Sequence, residues 1–337
     1  MKENITMQDI ADRLNVSKVT VSKALADKEG VSEELKEKIK KLSDEMGYRY
    51  NTAAKSIKNG CSYNIGVLVA HRFVSGTPSF YLSFYQAIAM ELEKRGYYGI
   101  LQVLQTEDEE QLNLPRVYYE KKVDGFIILG QINKEYIDLL KTIDIPAVFL
   151  DFYDEHDEFD SVVMDNFFSA YEITNYLFKL GHRNIAYVGD IYATSSIQDR
   201  FLGYYKSFLE HRMPLKEENI INDRDENGKF VKLDLPKNMP DAFVCNNDDV
   251  AYNLINTLKD KGYKVPEDIS VVAFDNTIYA TISNPQITCI EVNVEEMARR
   301  AVKHIINRIN KKSFTNGRFF IKGKIIYRDS VKEKKQG

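Results

Sequence analysis

ITMQDIADRLNVSKVTVSKALADKEGVSEELKEKIKKLSDEMGYRYN fills residues 5–51, and its apolar spacing writes three short helices. Thr6 has Asp9 three residues on, the spacing of a reciprocal N-terminal cap, and Ile10, Ala11 and Leu14 then share one face. Asn15 tolerates the left-handed backbone that a tight turn needs. Ser17 can cap a second helix whose Val21, Ala24 and Leu25 lie together, while Val19, Ser22 and Lys23 face the other way, flanked by Lys18 and Thr20. A third helix starts at Ser32 and carries Leu35, Ile39, Leu42 and Met46 on one stripe. Three single-striped helices can bury one small core. The outward face of the second helix is basic and rich in hydroxyls, without the glutamates that usually balance lysine. Such a face suits phosphate oxygens and base edges in a major groove. Spacing alone fits equally a small helical cap with an ordinary polar face.

Working outward, residues 50–60 (Tyr50 to Gly60) read either as a plain linker or as a short helix capped by Asn51. A helix that short is marginal in water unless something packs on it. From residue 63 the pattern alternates strand and helix. Buried parallel strands are expected at 65–70, 98–104, 123–130 and 147–152, with a helix over roughly 79–95. A second series is expected to begin at 161–166 and to continue at 184–190, 241–247 and 268–276. Three junctions repeat one form, a charged helix end, then Gly96, Gly181 or Gly262, then a buried strand. The fold class is therefore α/β, an all-α helix-turn-helix head followed by a two-lobed, doubly wound parallel-sheet core. The head spans 1–48, the linker 49–62 and the core 63–337. Its first lobe is expected at about 63–160 plus 293–318, and its second at about 161–292 plus the C-terminal strand.

The 337 residues carry a net charge of −4. Residues 1–60 hold 12 Lys+Arg against 10 Asp+Glu, and the remainder 34 against 40, so the basic end is the head. No run of about 18 apolar residues marks a membrane span. The N-terminus lacks the apolar stretch of a secretory signal, so a cytoplasmic location is the default. Cys61, Cys245 and Cys289 are scattered, as are His71, His156, His182, His211 and His304. His182 in a helix-to-strand turn reads as structural. There is no GxGxxG after the first strand, no P-loop, no GxSxG and no HExxH. Neither a cofactor, a metal site nor catalytic residues are expected. A sugar-binding protein and a sugar- or nucleotide-modifying enzyme with an accessory helical domain stand as rival readings.

Residues 5–51 closely resemble the head of the lactose/galactose-repressor family. The core resembles the same family, and with it periplasmic sugar-binding proteins, through LGHRNIAYVGD (180–190), DRFLGYYKSFLE (199–210), CNNDDVAYNLINTLKDKGYKVPEDISVVAFDN (245–276) and FFIKGKIIYRDS (319–330). The resemblance implies a homodimeric transcription regulator, a repressor, that binds operator DNA under the control of a small effector. A sugar is expected, although a purine or a partner protein serves some members. It implies base-reading positions at Lys18, Val19 and Lys23 and phosphate contacts at Ser17, Thr20 and Ser22, with Thr6 beside them. It also implies a hinge helix in which Ile57 wedges the minor groove, with Asn51, Ala54, Lys55 and Ser56 alongside. Asn15 stands where the family usually has glycine, Lys23 where arginine is frequent, Tyr50 where it has proline and Ile57 where it has leucine. These changes loosen the expected guanine readout and hinge geometry.

In the core, polar residues gather where strands end: Asp151, Asp165, Asn166, Asp190, Asn246, Asn247, Asp248, Asp275 and Asn276. Any one of them can be a helix cap instead of a ligand contact. Matching positions in the family imply effector contacts at Asp151, Arg200, Asn247 and Asp275. The alternative for Arg200 is a surface pair with Asp199 or Glu210. The first-strand loop departs from the family by its length and aromatics. Phe80 and Tyr81 fall where apolar ligand contacts are expected, as a stacking platform for a sugar ring, whereas Phe84 and Tyr85 read as core. Gln105 and Gln131 are lesser candidates at other strand ends.

Overall fold

A computed structural model describes residues 5–49, 60–74, 80–155, 158–225, 228–311 and 316–334. The chain divides into two compact units, Met1–Ser62 and Tyr63–Gly337. The proposed hinge residues Asn51, Ala54, Lys55, Ser56 and Ile57 lie outside the described residues.

The first unit contains α1 (Met7–Leu14), α2 (Lys18–Leu25) and α3 (Glu33–Glu45). Each begins where a hydroxyl can take an orphan backbone N–H. Thr6 and Asp9 cap each other's backbone, Ser17 Oγ accepts from Thr20 N at 3.0 Å, and Ser32 Oγ accepts from Leu35 N at 3.4 Å. Asn15 closes α1 in the left-handed region (φ 52°), which turns the chain sharply into α2. Ile10, Ala11, Val21, Ala24 and Ile39 form the core, with Leu14, Leu25, Leu35, Leu42 and Met46 half-buried around it.

The second unit holds two six-stranded sheets. Its elements begin with β1 (Asn64–Ala70), α4 (Phe80–Glu93), β2 (Tyr98–Leu104), α5 (Thr106–Glu110), α6 (Arg116–Tyr119), β3 (Phe126–Leu129), α7 (Lys134–Leu140), β4 (Ala147–Leu150) and β5 (Asp160–Met164). There follow α8 (Asn166–Lys179), β6 (Ile185–Val188), α9 (Ser195–Glu210), β7 (Ile220–Ile221), β8 (Ala242–Cys245), α10 (Asp248–Asp260) and β9 (Ser270–Asp275). The last are α11 (Ile278–Ile282), β10 (Thr288–Glu291), α12 (Val294–Ile309), β11 (Arg318–Ile321) and β12 (Lys324–Ile326). The first sheet runs β11-β5-β4-β3-β1-β2, all parallel. The second runs β12-β10-β9-β8-β6-β7, parallel except for β12.

One strand sits differently from the sequence reading. Residues 161–166 were expected to open the second series, but β5 pairs with β4 and β11 in the first sheet. Parallel buried strands carry the same apolar signal in either sheet, so hydrophobicity does not mark where the chain changes lobes. The chain crosses between the lobes three times: after β5, between β10 and α12, and between β11 and β12. Gly96, Gly181 and Gly262 all take positive φ, as the repeated junction requires. His182 is buried, its Nε2 3.0 Å from the Lys332 carbonyl, in keeping with a structural residue.

Candidate DNA-binding face and effector site

In α2 the apolar side is turned into the head's core, so the opposite side must face outward. Val19 is 63% exposed, and Lys18 and Lys23 are exposed beside it, with Ser22 half-buried. Three other lysines of the head are matched, Lys36 with Glu33 at 2.6 Å, Lys38 with Glu34 at 2.7 Å and Lys40 with Asp27 at 2.6 Å, whereas Lys28 and Lys41 have no carboxylate partner among the described residues. Lys18 and Lys23 have no carboxylate partner among the described residues. An exposed apolar residue between two unmatched cations is a poor surface for water and a good one for a polyanion. Thr6, Ser17 and Thr20 are committed locally. The Thr6 hydroxyl is 2.8 Å from Asp9 Oδ2, and the Ser17 and Thr20 hydroxyls are 2.8 Å apart. In this structure their hydroxyls shape the helix starts.

The core's site is assembled from strand ends of both lobes. Asp151 follows β4, Tyr81 opens α4, Arg200 lies in the second turn of α9, and Asp275 closes β9. Tyr81 Oη donates to Asp151 Oδ2 at 3.0 Å. Arg200 is 5% exposed and its guanidinium is shared among three acceptors. Nε donates to Asn166 Oδ1 at 2.8 Å, Nη2 to Asp275 Oδ1 at 3.0 Å, and Nη1 to the Asn246 carbonyl. Its carbon lies 4.5 Å from the Phe274 ring centre. The surface pairings considered for Arg200 are not made. Asp199 accepts from Tyr153 at 2.9 Å, and Glu210 is held by Lys206 at 2.6 Å.

The electrostatics tie the lobes together. Burial pushes the Asp151 carboxyl up to about 7; Arg200 works against that and Asp275 adds to it. Burial likewise raises Asp275, opposed by Arg200. Asp248, which accepts from the Thr277 hydroxyl at 2.9 Å, is raised to about 7 by burial and by Asp275. The Asp151 Oδ1 atom is buried with no hydrogen-bond partner among the described residues, an arrangement that costs free energy unless a ligand or water donates to it. Asp151 (φ 68°) and Asp275 (φ 89°) also hold left-handed backbone, a strain of about 1–3 kcal/mol each that tends to concentrate at functional sites.

Some sequence candidates play other parts. Asn247 caps α10, its Oδ1 accepting from Val250 N at 2.8 Å. Asp165 caps α8 through Phe168 N at 3.1 Å. Phe80 packs edge-on against Tyr81 and Phe84, at 5.4 and 5.2 Å, in a cluster that Phe73 completes at 4.8 Å from Tyr81. Gly130 (φ +76°) makes room for that cluster, since a Cβ there would stand 3.0 Å from the Phe73 and Tyr81 rings. Phe84 is fully buried, and the half-buried Tyr85 donates its hydroxyl to the Gly99 carbonyl at 3.1 Å. Asn166 and Asn246 reach Arg200, roles their strand-end positions hinted at without assigning. Asp223 was not anticipated. It is buried, accepts from Asn246 Nδ2 at 2.8 Å and from Asp190 N at 2.9 Å, and follows β7, which is only two residues long.

A helix-turn-helix head joined to a two-lobed core with a buried polar site defines a class, the DNA-binding transcription regulators. Residues 6–51 match the helix-turn-helix described as "Bacterial regulatory proteins, lacI family", and residues 174–331 a periplasmic binding protein-like domain. The HTH-type transcriptional regulator RegA of Clostridium saccharobutylicum is 30% identical over 337 residues, covering 97% of this chain and 99% of RegA. Among solved structures, the lac repressor dimer bound to operator and the anti-inducer ONPF superposes with a TM-score of 0.78 at 20% identity, over 98% of this chain and 100% of that one. The complex of the regulator CelR with cellobiose gives 0.69 at 21% identity, over 97% and 99%. This chain belongs to the lacI family of bacterial regulatory proteins, a family of transcription regulators and not of enzymes. No helix among the described residues is long and apolar enough to cross a membrane, and no cluster of three His, Cys, Asp or Glu among them could hold a metal ion.

Proposed function

We propose that this protein is a cytoplasmic, homodimeric repressor that reads operator DNA with α2 and is controlled by a neutral sugar bound between the two core lobes. The carrying observation is the partnerless buried oxygen of Asp151, set beside Tyr81, Arg200 and Asp275. That oxygen needs a donor, and sugar hydroxyls donate and accept at once. An anionic ligand fits poorly. Asp151, Asp248 and Asp275 crowd the site, and the Arg200 guanidinium already serves three acceptors. The site contacts are Asp151, Arg200 and Asp275, with Tyr81 and Phe80 as the aromatic wall and Asn247 at the rim. On the DNA side, Lys18, Val19 and Lys23 read bases, Ser17, Thr20 and Ser22 approach phosphates with Thr6 nearby, and Ile57 wedges the minor groove with Asn51, Ala54 and Lys55. An effector shifts operator affinity only through its different affinity for the two lobe arrangements. The relatives' own ligands agree in kind, since CelR was solved with cellobiose and the lac repressor with operator and an anti-inducer.

A thermal-shift panel of neutral mono- and disaccharides, their phosphate esters and purine bases tests the effector class. DNA selected from a random pool by the full chain supplies the operator probe. A neutral sugar should raise Tm and change operator binding, and Asp275→Asn should lose both responses. Stabilisation by a purine or a sugar phosphate, without any neutral sugar, would overturn the assignment.

A further inference from the structure

We infer that Gln131 and Tyr153 form a clasp by which the first lobe grips the opening turn of α9 and sets how far the lobes close. This inference rests on the proposed effector reading for its purpose but not for its test. Helix α9 leaves its first N–H groups unpaired, as any helix does. Within its own lobe, Thr194 Oγ1 takes Ile197 N at 3.3 Å. Ser195 N is taken by Gln131 Oε1 at 2.7 Å, from the loop after β3 in the other lobe. One turn on, Asp199 Oδ1 accepts from Tyr153 Oη at 2.9 Å, again from the first lobe. The next residue is Arg200, which holds Asp275 and the Asn246 carbonyl. The first six residues of α9 thus carry both interlobe bonds and the arginine of the proposed effector site.

Both gripping side chains are themselves held. Arg72 Nη2 donates to the Gln131 carbonyl at 2.6 Å, and the same guanidinium pairs with Glu109, whose side chain is 1% exposed. Glu109 Oε1 also accepts from Asn133 N at 2.9 Å, so the loop carrying Gln131 is anchored on both sides. The Arg318 guanidinium carbon lies 4.6 Å from the centre of the Tyr153 ring. Opening the lobes must break the Gln131 and Tyr153 bonds together, because both end on the rigid start of one helix, a turn apart. Gln131 and Tyr153 are therefore positioning residues that act through α9.

Hydrogen–deuterium exchange of the full chain without any effector reads the Ser195 amide directly. Gln131→Leu removes the acceptor and should speed that exchange about tenfold. Gln131→Glu keeps an acceptor at a helix N-terminus and should restore protection. Tyr153→Phe decides between a clasp and a local cap. It leaves Gln131 intact, yet should speed Ser195 exchange severalfold if the two bonds open together. The inference is overturned if Gln131→Leu exchanges like the parent, if Gln131→Glu fails to restore protection, or if Tyr153→Phe leaves Ser195 unchanged. Should no sugar bind while these exchange rates change as stated, the clasp stands and the effector assignment falls.

Discussion

At the scale of single residues, the same chemical types do two jobs in this chain. Asp151 and Asp275 join the buried polar cluster proposed as the effector site, bonding Tyr81 and Arg200, while Asp165 and Asn247 cap helices. All stand at strand ends, and each reading was open on the sequence. What separates them is where the backbone turns after the strand: the two site aspartates take positive φ and the caps do not. Arg200 was legible as a site residue by resemblance, but its three acceptors come from residues 34, 46 and 75 positions away, which no local pattern encodes. In the head, unmatched charge argues the prediction. Lys18→Ala should weaken binding to the selected operator by about 1–3 kcal/mol, roughly five- to 150-fold, with the melting temperature unchanged, since an exposed side chain is lost. Titration of labelled operator at fixed salt measures it, and parental affinity in the variant would remove Lys18 from the interface.

At the scale of elements, packing is tightest where α8 crosses α9. A Cβ on Gly203 would lie 2.0 Å from the Phe167 carbonyl oxygen and 2.9 Å from the Ala170 Cβ. Backbone cannot yield as a flexible side chain would. Gly203→Ala, a favourable change by helix propensity alone, should instead destabilise the protein by about 3 kcal/mol or more. Chemical denaturation gives the answer, and an unchanged midpoint would show that the helices can part without cost. Elements of this kind were the most legible part of the chain. The 3.6-residue stripes, the capping residues and the three helix–glycine–strand junctions all act locally, so the sequence displays them. The assignment of β5 to the first sheet and the two-residue β7 were not legible. The first depends on which lobe recruits a strand of neutral preference, and the second is too short to carry a period.

Across the whole molecule, buried carboxylates set how stability follows pH. Burial pushes Asp241 up, but the His182 ring 3.5 Å away and hydrogen bonds from Lys334 and the Arg183 and Asn184 amides outweigh it and bring the group to about 2. Asp160 is likewise held low: burial is outweighed by hydrogen bonds from His304 and Arg308. Lowered in the folded state, these groups contribute stability above an unfolded value of about 3.9, which is lost as pH falls through their folded values. Asp151 and Asp248 act in the opposite sense. Raised to about 7, they contribute fully below about 3.9, and that contribution is lost as pH rises through 7. Stability without ligand should therefore peak at about pH 4, where the two windows meet, and decline on both sides. Denaturation midpoints from pH 3 to 8 should show the dome, with Asp241→Asn flattening its acid limb and Asp151→Asn its upper limb. A profile rising steadily to pH 8 would contradict the environment described for Asp151.

The three crossings between lobes bear on how the protein is made. Strand β11 completes the edge of the first sheet and β12 that of the second, and both lie within residues 318–326. On the ribosome, the first lobe emerges early yet waits for nearly the entire second lobe to be translated before its last strand arrives. Until then the outer edge of β5 offers unpaired backbone to any strand nearby. Neither lobe is a continuous piece of gene, so recombination cannot exchange one by joining a single segment. The nascent chain must instead be kept apart from its neighbours until β11 and β12 have emerged.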